Sequence, residues 1–158
     1  MDMKNKEIQI SDIWNDKKKA DLKEIIKSHS STQSKEQILK NQLLSIQFKL
    51  EDYIQSENET QILKILDFVK MYLKALNLSK KTLAAHFEMR DSNLHKYLSG
   101  ERKLNAQLAL KLSTFSHTKP DQWFRVELKN EMIQLKKEES ANIEVYKKYD
   151  YRNLLEAV

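Results

Sequence analysis

Leu39, Leu43, Ile46, Leu50 and Tyr53 recur at alternating spacings of four and three, with mostly polar residues between them, which is the seam of an amphipathic helix. Ser34 ahead of this seam, with Gln37 three residues on, has the form of a capping box, so the helix is predicted to open there. SENET then breaks the pattern. Asn58 with Gln61 repeats the cap signature, and Ile62, Ile65, Leu66, Val69, Leu73 and Leu76 give the apolar face of the next predicted helix. Upstream, residues 13–27 hold one more helix-length stretch, and SHSSTQS after it reads as a linker because its serines interrupt the apolar spacing. The chain thus divides into a tail (1–33), an amphipathic helix (34–60), a core (61–128) and a C-terminal extension (129–158).

The densest pattern lies between Lys80 and Ser99, KKTLAAHFEMRDSNLHKYLS. Leu83, Phe87, Met89, Leu94 and Tyr97 stand where two short helices crossing over a tight turn need apolar side chains. Ala84 is the small residue at the closest crossing. That is the pattern of a helix-turn-helix. Ser79 is the expected N-cap of the first of these helices and Asp91 of the second, which Gly100 ends. Asn105 is expected to cap a fourth core helix bearing Leu108, Leu110 and Leu112. Thr118, Lys119, Pro120 and Asp121 open a fifth, with proline in the first turn, where a missing N–H costs least. Trp123, Phe124, Val126 and Leu128 begin that helix, and Met132, Ile133 and Leu135 carry it toward Lys137. A minimal core does not need that length, so part of its apolar face is expected to meet a second copy of the chain.

Composition narrows the class. With one glycine and one proline in 158 residues, strand and turn signals are scarce, and the fold expected is all-α. The lack of cysteine excludes disulfides and thiolate chemistry. No apolar run approaches the roughly 20 residues that span a membrane, so a soluble, cytoplasmic protein with no membrane partner is expected. Net charge is +5, and its location matters more than its size: residues 61–130 carry 13 Lys/Arg against 6 Asp/Glu, while the flanking segments are nearly balanced. A solvated lysine-rich surface would account for the charge alone. Coincidence with the helix-turn-helix instead points to a surface that neutralises phosphates.

From about Gln61 to Leu128 the chain resembles the lambda-repressor-like, Xre/Cro-type family of five-helix DNA-binding domains. Within it, the segment from Lys103 to Leu128 is most similar to Hig-type antitoxins. Those follow the recognition helix with an isoleucine-serine-proline opening, an alanine-leucine-arginine-leucine helix and a threonine-x-proline-x-x-tryptophan run. Leu104 and Asn105, then Ala109, Leu110, Lys111 and Leu112, then Thr118, Lys119 and Pro120 through Trp123 occupy those places. The resemblance implies a five-helix DNA-binding core with an N-terminal helical extension and a C-terminal helical tail. Three positions depart from the family pattern. Glu88 and His117 stand where relatives often carry glycine, and Lys80 replaces a glutamine that opens the second helix and touches a phosphate.

If Leu94, Tyr97 and Leu98 face the core, a 100° step per residue leaves Ser92, Asn93, His95 and Lys96 outside, and these are the candidate base readers. Asn93 has the groups to pair bidentately with adenine, Lys96 to donate to guanine acceptors, and Ser92 to position the backbone. The plain alternative is a set of polar residues covering a helix. Lys80, Lys81, Arg90, Arg102 and Lys103 flank the helix and are assigned to phosphates. His29, His86, His95 and His117 include no pair at metal-ligand spacing, carboxylate pairs such as Glu51 and Asp52 read as solvated, and there is no glycine-rich phosphate loop. No metal, cofactor or enzymatic activity is expected. Trp123 and Phe124 read as core in preference to a partner hot spot. The Leu39–Tyr53 seam is equally suited to covering the core, dimerising or holding a partner protein. The expectation is therefore a sequence-specific repressor that binds a palindromic double-stranded DNA operator as a homodimer. The alternative is an antitoxin that silences a toxin protein and autoregulates; RNA binding is disfavoured because no aromatic stacking platform accompanies the basic helix.

Overall fold

The structure, a computed structural model, describes residues 18–25 and 34–158. Every regular element among them is helical. The chain divides into two units, Met1–Asn41 and Gln42–Val158. In the first, residues 18–25 form helix α1, and the ends of the helix predicted over 13–27, like the linker up to residue 33, lie outside the described residues. Helix α2 (Lys35–Gln55) opens in this unit. The Gln37 N–H donates to Ser34 Oγ at 3.3 Å, as a capping box requires, but the Gln37 amide turns forward to Asn41 Oδ1. The cap is one-sided.

The second unit holds the rest of α2, then α3 (Ile65–Leu76), α4 (Lys80–His86), α5 (Asp91–Leu98), α6 (Ala106–Ser116) and α7 (Pro120–Tyr146). A 3₁₀ turn (Lys147–Tyr149) and α8 (Tyr151–Glu156) follow. Helix α3 starts three residues later than its apolar pattern predicts, leaving Ile62 exposed. Asp67 sets that start by accepting the Lys64 N–H at 2.7 Å. Asn58 does not cap the helix. Its carboxamide oxygen accepts the Thr60 N–H at 2.9 Å, a local turn that competes with helix initiation.

One apolar cluster joins six helices: Ile46, Leu50 and Tyr53 of α2 pack in the same core as Phe68 and Tyr72 of α3, Leu83 of α4, Leu94 and Leu98 of α5, Leu112 of α6 and Trp123 of α7. The C-terminal half of the α2 seam therefore covers this core. Leu44 and Phe48, off the seam, stay exposed. Tyr53 is the main tie. Its ring lies 5.7 Å from that of Phe68, its hydroxyl donates to Asn130 Oδ1 on α7 and accepts the Leu63 N–H at 3.2 Å, and Asn130 Nδ2 donates to Leu63 O at 2.9 Å.

Three apolar expectations are corrected. Leu110 is exposed, because it lies about 200° around α6 from the face that Leu108 and Leu112 share, and Ala109 is the third buried apolar residue instead. Trp123 is fully buried, its indole N–H donating to Thr118 Oγ1 at 2.9 Å, whereas Phe124 and Leu128 lie on the other side of α7 in solvent. Helix α7 also runs well past Lys137, to Tyr146, with a break in helical geometry at Asn142 (φ −126°, ψ 20°). Ile133 is its last buried residue.

Candidate nucleic-acid interface

The candidate interface is built from α4, α5 and the loop that follows. Ser79 caps α4 as expected, its Oγ accepting the Thr82 N–H at 3.1 Å. Beyond α4 the chain must reverse within four residues, and Glu88 takes the left-handed conformation to do so (φ 57°), with Met89 N–H returning to Ala84 O at 2.8 Å. His117, the other position where glycine is common in the resembling family, is also left-handed (φ 56°). Both residues accept a strain on the order of 1–2 kcal/mol that glycine avoids. Lys111 of α6 reaches across to donate to Phe87 O at 2.6 Å, occupying a carbonyl that the end of α4 leaves open.

Helix α5 begins at Asp91, so its N-cap is Arg90 and not Asp91. The Asp91 carboxylate sits instead in the first turn, where the helix dipole favours it, 3.7 Å from Lys80 Nζ. Leu94 and Leu98 are fully buried, and Leu83, Ala84 and Phe87 join them; Met89 and Tyr97 are half-buried at the edge of the same cluster. The motif's apolar set is thus brought together. It turns Ser92 and His95 to solvent, with Asn93 and Lys96 half-buried beside them.

These polar residues are held in two hydrogen-bonded pairs. Arg102 Nη1 donates to Asn93 Oδ1 at 2.7 Å, and Lys80 Nζ lies 2.9 Å from His95 Nδ1. Arg102 is itself positioned: its N–H donates to Lys96 O at 2.9 Å, and its guanidinium lies 6.0 Å from the Tyr97 ring centroid. Gly100 makes the return possible, with φ at 85° and nothing within 4 Å of where a Cβ would stand. Lys81 and Arg90 are exposed and carry no ion pair among the described residues; Lys103 lies 3.6 Å from Glu131 and is largely in solvent. The nine candidate contact residues therefore sit on α4, the turn before α5, α5 and the segment just after it, with Glu88, Asp91 and Glu101 the exposed acids among them.

Sequence reasoning missed the supports. Glu127 on α7 accepts the Leu104 N–H at 2.7 Å and anchors the loop behind Arg102 and Lys103. Burial pushes its carboxyl above the usual range, the Leu104 hydrogen bond opposes this, Glu131 raises it further and Lys103 lowers it. Lys111 and Glu127 act across 24 and 23 residues of sequence, and no local spacing signals such a partner.

Set against known protein families, curated proteins and solved structures, the chain has no significant match in any of the three. Among the described residues no helix is long and apolar enough to cross a membrane.

Proposed function

We propose that the chain is a sequence-specific, double-stranded DNA-binding transcriptional regulator, a repressor that acts as a homodimer through α5 in the major groove. In this reading α3 to α7 are a five-helix, lambda-repressor-like core. The observation that carries it is the polar set on α5, Ser92 and His95 exposed and Asn93 and Lys96 half-buried beside them, on a helix whose opposite face is locked into the core and which Lys81, Arg90, Arg102 and Lys103 rim. A rigid helix with polar side chains outside and cations at both ends has the parts that groove recognition needs: readers for base edges and charges for phosphates. Blocking a promoter requires occupancy alone, with no bond made or broken. Dimerisation would place two such helices about one DNA turn apart, on a palindromic site.

The test is binding of the full chain to a pool of random duplexes at two salt concentrations. Enrichment of a two-fold symmetric sequence, with affinity falling steeply as salt rises, supports the reading. Equal retention of every duplex, or of none, refutes it.

The exposed apolar pair Leu44 and Phe48 on α2 favours one second reading, that of an antitoxin holding a toxin protein on that helix while α5 serves autoregulation. Co-purification with the product of an adjacent small gene, lost when Phe48 is replaced by Glu, tests it. A chain whose loss is harmless when that neighbour is expressed is not an antitoxin.

A further inference from the structure

A helix with its side chains is about 10–12 Å across and the major groove about 12 Å wide, so an inserted helix fills the groove. Side chains at its outermost edge meet base edges on the floor, and those on its flanks meet the sugar-phosphate walls. On α5 the outermost edge lies opposite Leu94 and Leu98, which are fully buried. At about 100° per residue, Ser92 and Lys96 fall within about 40° of that direction, whereas Asn93 and His95 stand about 60° and 100° from it, on opposite sides. The Ser92 hydroxyl and the Lys96 ammonium have no partner among the described residues. Asn93 and His95 each hold a cation that comes from outside the helix.

On one flank, Arg102 Nη1 donates to Asn93 Oδ1 at 2.7 Å. Tyr97, one turn further along that flank, has the guanidinium 6.0 Å from its ring centroid, and the Arg102 N–H donates to Lys96 O at 2.9 Å. On the other flank, Lys80 Nζ lies 2.9 Å from His95 Nδ1, and because an ammonium only donates, the imidazole accepts. Asp91, one turn before His95 and nearer the core, stands 3.7 Å from the same ammonium.

We infer that Asn93 and His95 are positioning residues, which hold Arg102 and Lys80 toward the two walls of the groove, and that Ser92 and Lys96 at the outermost edge meet the bases. A long cationic side chain that is already held loses less rotamer freedom when it meets a phosphate, so each brace raises affinity for duplex of any sequence. The Asn93 oxygen and the His95 lone pair act through the cations they hold. The inference rests on the DNA-reading proposal and divides its four candidate readers into two readers and two braces.

The experiment takes the duplex that the full chain selects from a random pool and measures affinity for it, and for random duplex, across salt concentrations in single and double alanine variants. Arg102→Ala is expected to weaken both duplexes by the same factor and to reduce the salt slope by about one. Asn93→Ala also weakens both alike, leaves the selected sequence unchanged, and has no further effect in the Arg102→Ala background. His95→Ala and Lys80→Ala form the second such pair. A residue needed only for folding would lower affinity in either background. Lys96→Ala instead alters the selected sequence, lowering the preference at one base pair on the order of tenfold. Loss of base preference in Asn93→Ala or His95→Ala overturns the inference. So does an Asn93→Ala cost that persists undiminished without Arg102, or a selected sequence that Lys96→Ala leaves unchanged. In each of these outcomes the wild-type chain still binds its sequence and DNA reading stands; failure of the wild-type chain to select any sequence overturns both.

Discussion

Replacing Tyr53 by Phe removes one oxygen from the junction between α2, the segment before α3, and α7. Ring packing on Phe68 and the Lys129 ammonium 4.0 Å over the ring both survive the change. Two hydrogen bonds do not. The hydroxyl no longer donates to Asn130 Oδ1 nor accepts from the Leu63 N–H, and both partners are left in a part-buried place. At about 0.5–1.5 kcal/mol for each bond, the expected loss is about 1–3 kcal/mol. Asn130 Nδ2 still holds Leu63 O, so the junction should weaken without coming apart. In equilibrium urea unfolding this is a fall of roughly 1 M in the midpoint with an unchanged slope. The double variant Tyr53→Phe/Asn130→Ala should be less destabilised than the sum of its singles, because each removes the same bond. A Tyr53→Phe loss below about 0.5 kcal/mol, or strict additivity in the cycle, refutes the docking of α2 on α7.

Other consequences can be checked independently. Glu88→Gly relieves a left-handed residue at φ 57° and, after the extra chain entropy of glycine, should stabilise by about 0.5–1 kcal/mol in thermal unfolding; Gly100→Ala, at φ 85° with nothing for its Cβ to meet, should do the reverse. Burial raises the folded pKa of Glu127, so the stability it allows is full below the usual 4.5 and declines as pH rises through the folded value. Glu127→Gln, which keeps an acceptor for Leu104, should flatten that decline in urea midpoints measured from pH 4 to 7. Tyr72 buries a hydroxyl with no partner, and burial, with Glu51 adding, pushes it up to about 12. Tyr72→Phe should therefore leave stability at pH 7 unchanged or raise it by up to about 1 kcal/mol, and remove a loss that the wild-type chain shows between pH 10 and about 12. Lys81→Ala should weaken binding to all duplexes alike and reduce the slope of log affinity against log salt by about one.

Much of the fold is carried by short-range pattern. The apolar positions of Leu83, Phe87, Leu94 and Leu98 follow from a 3.6-residue period alone, and the caps at Ser79 and Asn105 need only a side-chain oxygen three residues ahead of an N–H. For that reason the polar side of α5 is legible in the sequence: once the buried face of a helix is known, its opposite face follows, and Ser92 and His95 are exposed with Asn93 and Lys96 half-buried beside them. Where the competition was between two equally local options, sequence misjudged it. Asn58 had the type of a cap and formed a turn with Thr60, and Asp91 fell one residue inside the helix it was expected to cap.

Taken alone, then, the chain determined its helices, its all-α class, the location of its positive charge and the residues facing outward on α5. Tertiary structure decided whatever depends on partners far apart in sequence. The α2 seam suited a core, a dimer or another protein equally well, and only Phe68 and Asn130 across the fold show its C-terminal half facing inward. Asn93 had both a donor and an acceptor as a residue type. Arg102, brought back over the helix end by Gly100, donates to the Asn93 oxygen, and side-chain periodicity cannot report a hydrogen bond between a helix and the loop that leaves it.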